Sequence, residues 1–165
     1  MTGKELEKFS DEFLDKIIEE GKVFLSETIT AYKEFTSRSY AVFGFSSGLI
    51  SFCINKALSL STCSQIMPYL CVSIASLISI IVLRKNLLPQ NLANLGSNPK
   101  DLVNPFFAGE GKEKIKKYKI SKALALQKGI DINIKENISR VNRFKTSIAC
   151  VGIGLLLGIF FFFVV

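Results

Sequence analysis

The chain has 165 residues, of which 48% are hydrophobic and 21% charged, and it carries a net charge of +7. Soluble domains usually hold about a quarter charged residues. The apolar residues here gather in three blocks, at 41–62, 64–83 and 146–165, each near the ~20 residues that cross a bilayer as a helix. That pattern argues against a single soluble domain, a collagen, a disordered tail or a disulfide-stapled secreted module.

Residues 1–40 carry six basic and nine acidic groups, a net of −3. They read as an amphipathic helix over 3–38, with Leu6, Phe9, Phe13, Ile17, Phe24, Thr28, Ala31 and Phe35 on one stripe. Thr2 and Glu5 form a capping box at its start, and Gly21 is a candidate break. Surface helices on membranes usually show a basic polar face. This one is acidic, so it is expected to pack against protein, namely the basic segment 112–145. A solvated arm that self-associates as a coiled coil is the alternative. The first forty residues are polar, with no short apolar core behind a basic start, so no signal peptide is expected.

The first span is expected over 41–62. Gly44 and Gly48 form a GxxxG pair, and Ser51 and Asn55 continue their face. Small and polar residues let helices approach closely in lipid and bond across the contact. The stripe reads either as helix packing or as a pore lining, and the two are compatible. Lys56 sits towards the far end of this span. An ionisable residue there either snorkels to the interface or faces an aqueous cavity.

The second span starts near Ile66, with Pro68 in its first turn, where a missing amide donor is tolerated. Ser73, Ser76 and Ser79 drift around the helix and suit inter-helix contacts. Residues 86–111 lose helical periodicity. Asn86-Leu-Leu-Pro89, Gly96-Ser-Asn-Pro99, Asn104-Pro105 and Gly109-Glu-Gly111 are turn signals, and Phe106 and Phe107 are expected anchors. Gly109-Glu-Gly-Lys112 fails the phosphate-loop pattern, because Phe106 stands where Gly is needed and Glu113 where Ser or Thr is needed.

From Lys112 one long helix is expected to run into a third span over 146–165. Its apolar stripe is Ala123, Leu126, Ile130, Ile134, Ile138 and Val141, with Gly129 a weak point. Lys114, Lys116, Lys117, Lys119 and Lys122 cluster near its start, and Asn133, Asn137 and Arg140 share a neighbouring face. In the last span Thr146, Cys150, Gly154 and Gly158 recur every four residues, which argues for a close helix contact.

Residues 84–145 carry fourteen basic and five acidic groups, a net of +9. Basic residues at span edges mark the cytoplasmic side. Arg38, Arg84, Lys85, Arg140, Arg143 and Lys145 all stand at edges, while the link at 61–65 is uncharged. The expected topology places the N-terminus and residues 84–145 inside and the C-terminus outside. The fold expected is therefore an all-α membrane protein with four parts. They are a cytoplasmic arm (1–40), a two-span hairpin (41–83), a basic connector and helix (84–145) and a C-terminal span (146–165).

Enzymatic chemistry is poorly served. The chain has no histidine, which removes the commonest general base. The four cysteines, Cys53, Cys63, Cys71 and Cys150, show no metal-ligand spacing and read as packing residues. No metal, cofactor or catalytic residue is expected. The lysine cluster reads as topogenic or as an anion site for phosphate backbones or headgroups. In the second reading Asn133, Asn137 and Arg140 would hydrogen-bond the ligand, and Tyr118, Phe106, Phe107 and Phe144 would stack on bases.

An acidic arm, a two-span hairpin and a long basic helix containing Gln127, Ile130, Asn133, Asn137 and Arg140 together resemble small membrane effectors of bacterial anti-phage systems. Among those the chain is most similar to the HalA family of Hailong-type membrane proteins. The resemblance implies a tetramer in the prokaryotic inner membrane. It also implies a gating ligand of single-stranded DNA oligomers, oligodeoxyadenylate, made by a partner nucleotidyltransferase. Two other readings stay open: a ligand-independent, holin-like or toxin-like disruptor, and a membrane scaffold that recruits a soluble partner through the arm.

Overall fold

The computed structural model of the chain describes residues 2–89, 92–93 and 111–164. The described residues are helical, with no strand among them. The elements are α1 (Gly3–Leu6), α2 (Asp11–Leu58), α3 (Cys63–Leu87) and α4 (Lys112–Val164). Each of the last three contains a stretch long and apolar enough to cross a membrane, so the chain is a membrane-embedded, all-helical protein. Phe106, Phe107 and the turn signals between 94 and 110 lie outside the described residues.

The chain divides into two compact units, one of residues 1–32 and 91–137, the other of 33–90 and 138–165. The division falls within α2 and within α4, where the sequence suggested separate arms and spans.

The first unit has a water-type core. Leu6, Leu14 and Ile18 pack on Ile120 and Ala123, flanked by Ile17, Leu124 and Leu126. The acidic arm thus meets the basic helix, as its charge suggested, and the Asp15 carboxylate accepts from Lys119 Nζ at 2.6 Å. Two local details differ from expectation. The arm is broken between Leu6 and Asp11, whereas α2 runs through Gly21 without interruption. The buried line is Leu14, Ile18, Leu25 and Thr28, while Phe9, Phe13 and Phe24 are exposed. The expected aromatic stripe is the flank of the buried one. At the N-terminus the Glu5 carboxylate accepts the Thr2 N–H at 2.7 Å, and this bond holds its pKa below the usual carboxylate range.

The second unit inverts that logic. Phe45, Phe52, Ile74, Leu77, Ile81 and Leu156 face outward, and Ser39, Ser46, Ser76, Ser79 and Ser147 are fully buried. Lipid tails are as apolar as leucine, so spans gain nothing by hiding leucines from them. They associate through close packing and hydrogen bonds. Ser79 Oγ lies 3.4 Å from Ser46 Oγ and 2.5 Å from Ser147 Oγ, joining all three spans. Further along, α4 is pressed onto α3. A Cβ on Gly158 would stand 2.7 Å from Val72 Cγ2 and 3.2 Å from the Pro68 carbonyl oxygen, and one on Gly154 would run into Ala75 Cβ. The second span's helix, α3, begins at Cys63 rather than near Ile66, which moves Pro68 into its second turn.

Gly154→Ala is therefore expected to cost about 1–3 kcal/mol by overpacking, read as a lower midpoint of unfolding in detergent. Gly48→Ala meets no neighbour among the described residues of its own chain, so packing within the chain is expected to hold, and a fall in the midpoint would report a contact with a second chain.

Candidate functional site

Two surfaces hold the residues that the sequence singles out. The first is the start of α4 in the first unit. Lys112, Lys114 and Lys117 are exposed there, and Lys116, Lys119 and Lys122 are half-buried. Their surroundings differ. Lys117 donates to the Glu113 carboxylate at 2.7 Å, one helical turn away. Lys119 is held between Asp15 and the Asp11 carbonyl, at 2.6 and 3.2 Å, with its side chain only 17% exposed. Lys122 lies over the Tyr118 ring, 5.7 Å from its centroid. The cluster is a positive layer in which Lys117 and Lys119 already answer a carboxylate of the same chain. The Glu113 partner raises the affinity of Lys117 for its proton, and Lys117 lowers that of Glu113.

Asn133, Asn137 and Arg140, expected to face a bound ligand, are spent inside the protein. Asn133 is fully buried. Its Nδ2 donates to Thr28 Oγ1 and the Ala93 carbonyl, both at 3.1 Å, and its Oδ1 accepts the Ala93 N–H at 3.0 Å. Thr28 Oγ1 in turn donates to the Leu25 carbonyl at 2.7 Å. Asn137 Nδ2 donates to the Thr28 carbonyl at 2.8 Å.

Arg140 belongs to the second unit and is also fully buried. Its Nη1 donates to Thr36 Oγ1 and to the Asn86 carbonyl, both at 2.8 Å. Asn86 is the centre of this cluster. It donates to Ser39 Oγ and to the Arg140 carbonyl at 3.2 and 3.0 Å, and it accepts from Arg143 Nη1 at 3.1 Å. Sequence reasoning placed Asn86 in a turn and gave it no role. A signal was present: an amide directly after Arg84 and Lys85 at the end of an apolar span.

The second surface is on span one. Gly44, Gly48, Ser51 and Asn55 are all exposed. Among the described residues, no atom outside the local helix comes within 4 Å of a Cβ placed on Gly44 or Gly48. Ser51 bonds only its own helix, to the Ser47 carbonyl at 3.1 Å, and Lys56 is exposed in the last turn of α2. The glycines of span three behave differently: Gly154 and Gly158 are buried against α3, and Cys150 is a half-buried free thiol. The two small-residue stripes thus have opposite fates, one consumed within the chain and one left open.

Asn133→Ala is expected to leave Thr28 and the Ala93 backbone unsatisfied and to cost about 1–3 kcal/mol, seen as faster amide exchange around residues 25–28 and 133. In a titration followed by NMR, Glu113 is expected to protonate below the ordinary carboxylate range and Lys117 to deprotonate above the ordinary lysine range. The pair is whole between those limits. Its contribution is lost as pH falls through the first or rises through the second.

No family model, no curated protein and no solved structure matches this chain.

Proposed function

We propose that the chain is the subunit of a homo-oligomeric membrane pore or membrane-disrupting effector of prokaryotic anti-phage defence. Its basic layer on the cytoplasmic side binds an anion derived from nucleic acid, of the kind single-stranded DNA oligomers provide, and this sets the balance between closed and open states. A ligand shifts such a balance only by binding one state better than the other.

The observation that carries this proposal is the open stripe of Gly44, Gly48, Ser51 and Asn55. An amide in a span is costly against hydrocarbon and is at home against another helix or an aqueous path. A second chain, brought close by the glycines, would supply either. The lysines of α4 supply the charge for an anionic ligand. Recognition there is through charge, with Lys112, Lys116 and Lys122 as its main carriers, because Asn133, Asn137 and Arg140 are engaged internally.

A membrane scaffold that recruits a soluble partner is the second reading. It is favoured by Phe13 and Phe24, exposed beside a groove of about 620 Å3 that Ile17, Leu126 and Ile130 help to line.

The deciding experiment is conductance of the purified protein in planar bilayers, with and without short single-stranded DNA on the basic side. Conductance that depends on the DNA is expected. Conductance indifferent to DNA would point to a holin-like disruptor, and silence from folded, inserted protein would point to the scaffold. Lys112→Glu combined with Lys116→Glu is expected to abolish the response while leaving assembly intact. Each lysine lost from the contact should lower the salt slope of DNA affinity by about 0.7.

A further inference from the structure

The second unit carries a groove that the packing of its helices leaves unfilled. Its volume is about 230 Å3, and all three spans contribute: Leu49 and Phe52 from α2, Val72 from α3, Leu155 and Gly158 from α4. Its walls are almost wholly carbon. At one end it continues into a cavity of about 320 Å3, which shares Pro68, Tyr69 and Phe162 with it and adds Ser64 and Gln65. Within one turn of α3 the lining therefore passes from hydrocarbon to hydroxyl and amide.

A cation stands at that same end. Leu49, Phe52 and Cys53 line the groove from one face of α2. Lys56 is the next residue on that face, at three- and four-residue steps, in the last turn of the helix. It is exposed.

From this we infer that the groove binds one acyl chain of a membrane phospholipid. The headgroup lies at the Ser64–Gln65 mouth, and the Lys56 ammonium pairs with its phosphate. Three features select this occupant. The groove belongs to helices that cross a membrane, so hydrocarbon is the solvent at hand, and an apolar slot left empty forfeits the dispersion contacts of its walls. A slot of about 230 Å3 is on the scale of a stretch of one unbranched chain, which is far slimmer than a helix of about 10–12 Å with its side chains. The polar mouth and the cation match an amphiphile with an anionic head and leave a purely apolar guest without a partner. The site stands apart from conduction, because it needs only the three spans of one chain.

The test is native mass spectrometry of the full chain after reconstitution with equal amounts of phosphatidylglycerol and phosphatidylcholine and extraction in mild detergent. One phospholipid per chain is expected to be retained, enriched in phosphatidylglycerol. Leu155→Trp and, separately, Leu49→Trp fill the slot and are expected to lose the retained lipid. Lys56→Gln keeps the lipid but lowers the preference for phosphatidylglycerol about fivefold, the scale of one basic residue beside anionic lipid. Leu77→Trp, on an exposed face of α3 outside the slot, leaves both unchanged.

Retention that survives both filling variants, in proteins whose circular dichroism matches the parent, would overturn the inference. So would free fatty acid as the retained species. Spin-labelled lipids give an independent reading on the unaltered protein. A motionally restricted component selective for phosphatidylglycerol is expected, and equal restriction of both lipids would count against the site.

Discussion

Everything in the spanning unit depends on how closely α4 can approach α3. Helices surrounded by hydrocarbon have no water to flee, so apolar side chains alone do not choose a partner for them. The choice falls to missing side chains and to hydroxyls. Gly154 and Gly158 remove the atoms that would hold the two helices apart. Ser79, placed between Ser46 and Ser147, ties α3 to both neighbours. With Gly154, Gly158 and the buried serines filling the inside, bulky residues such as Phe45, Ile74, Leu77 and Leu156 are found outside.

The other unit obeys the opposite rule within the same helices. Leu6, Leu14 and Ile18 bury against Ile120 and Ala123 because water is the alternative. The polar residues buried there act as clamps. Asn133 satisfies both backbone groups of Ala93 and the hydroxyl of Thr28 in one side chain. A buried amide with every bond made gives specificity of register that a leucine does not. An anion arriving at the basic layer therefore meets lysine charge rather than a prepared ring of amides.

The large features were legible in the sequence. Three apolar blocks, an acidic arm opposite a basic helix and an unbroken run from Lys112 into the last span each follow from composition and periodicity, and each is found. The finer differences come from taking hydrophobic periodicity as the mark of the inward face. In the spans that face meets lipid, and in the first unit Asn133 is buried through its bonds to Thr28 and Ala93 rather than by being apolar. Along α4 the buried line is Ile120, Ala123, Ile130, Asn133, Arg140, Ser147 and Val151, while Ile138 is exposed. The line keeps its helical spacing but changes chemistry halfway, so an apolar filter lost it after Ile130. Asn133, Asn137 and Arg140 were noticed for being polar and were assigned to a ligand. Their roles depend on Thr28, Ala93, Thr36 and Asn86, and no local pattern names partners so far away in sequence. The stripe at Gly44 and the stripe at Gly154 look alike as strings, and only the fold separates the one that is used from the one that is open.

The hydroxyl seam also sets what an electric field can do to this protein. A charge that crosses the membrane potential gains about 2.3 kcal/mol per 100 mV, which is how voltage drives gating elsewhere. Between residues 39 and 83, and again from 146 to 164, the sequence holds a single charged side chain, Lys56, and it sits in the last turn of α2. Ser46, Ser79 and Ser147 are neutral dipoles, and either oxygen in each pair can be the donor. The field has almost no net charge to pull through the interior of the spans. The seam of Ser46, Ser79 and Ser147 therefore offers membrane voltage almost nothing to pull on, and the other charges of this unit, Arg84, Lys85, Arg140 and Arg143 among them, stand outside those stretches.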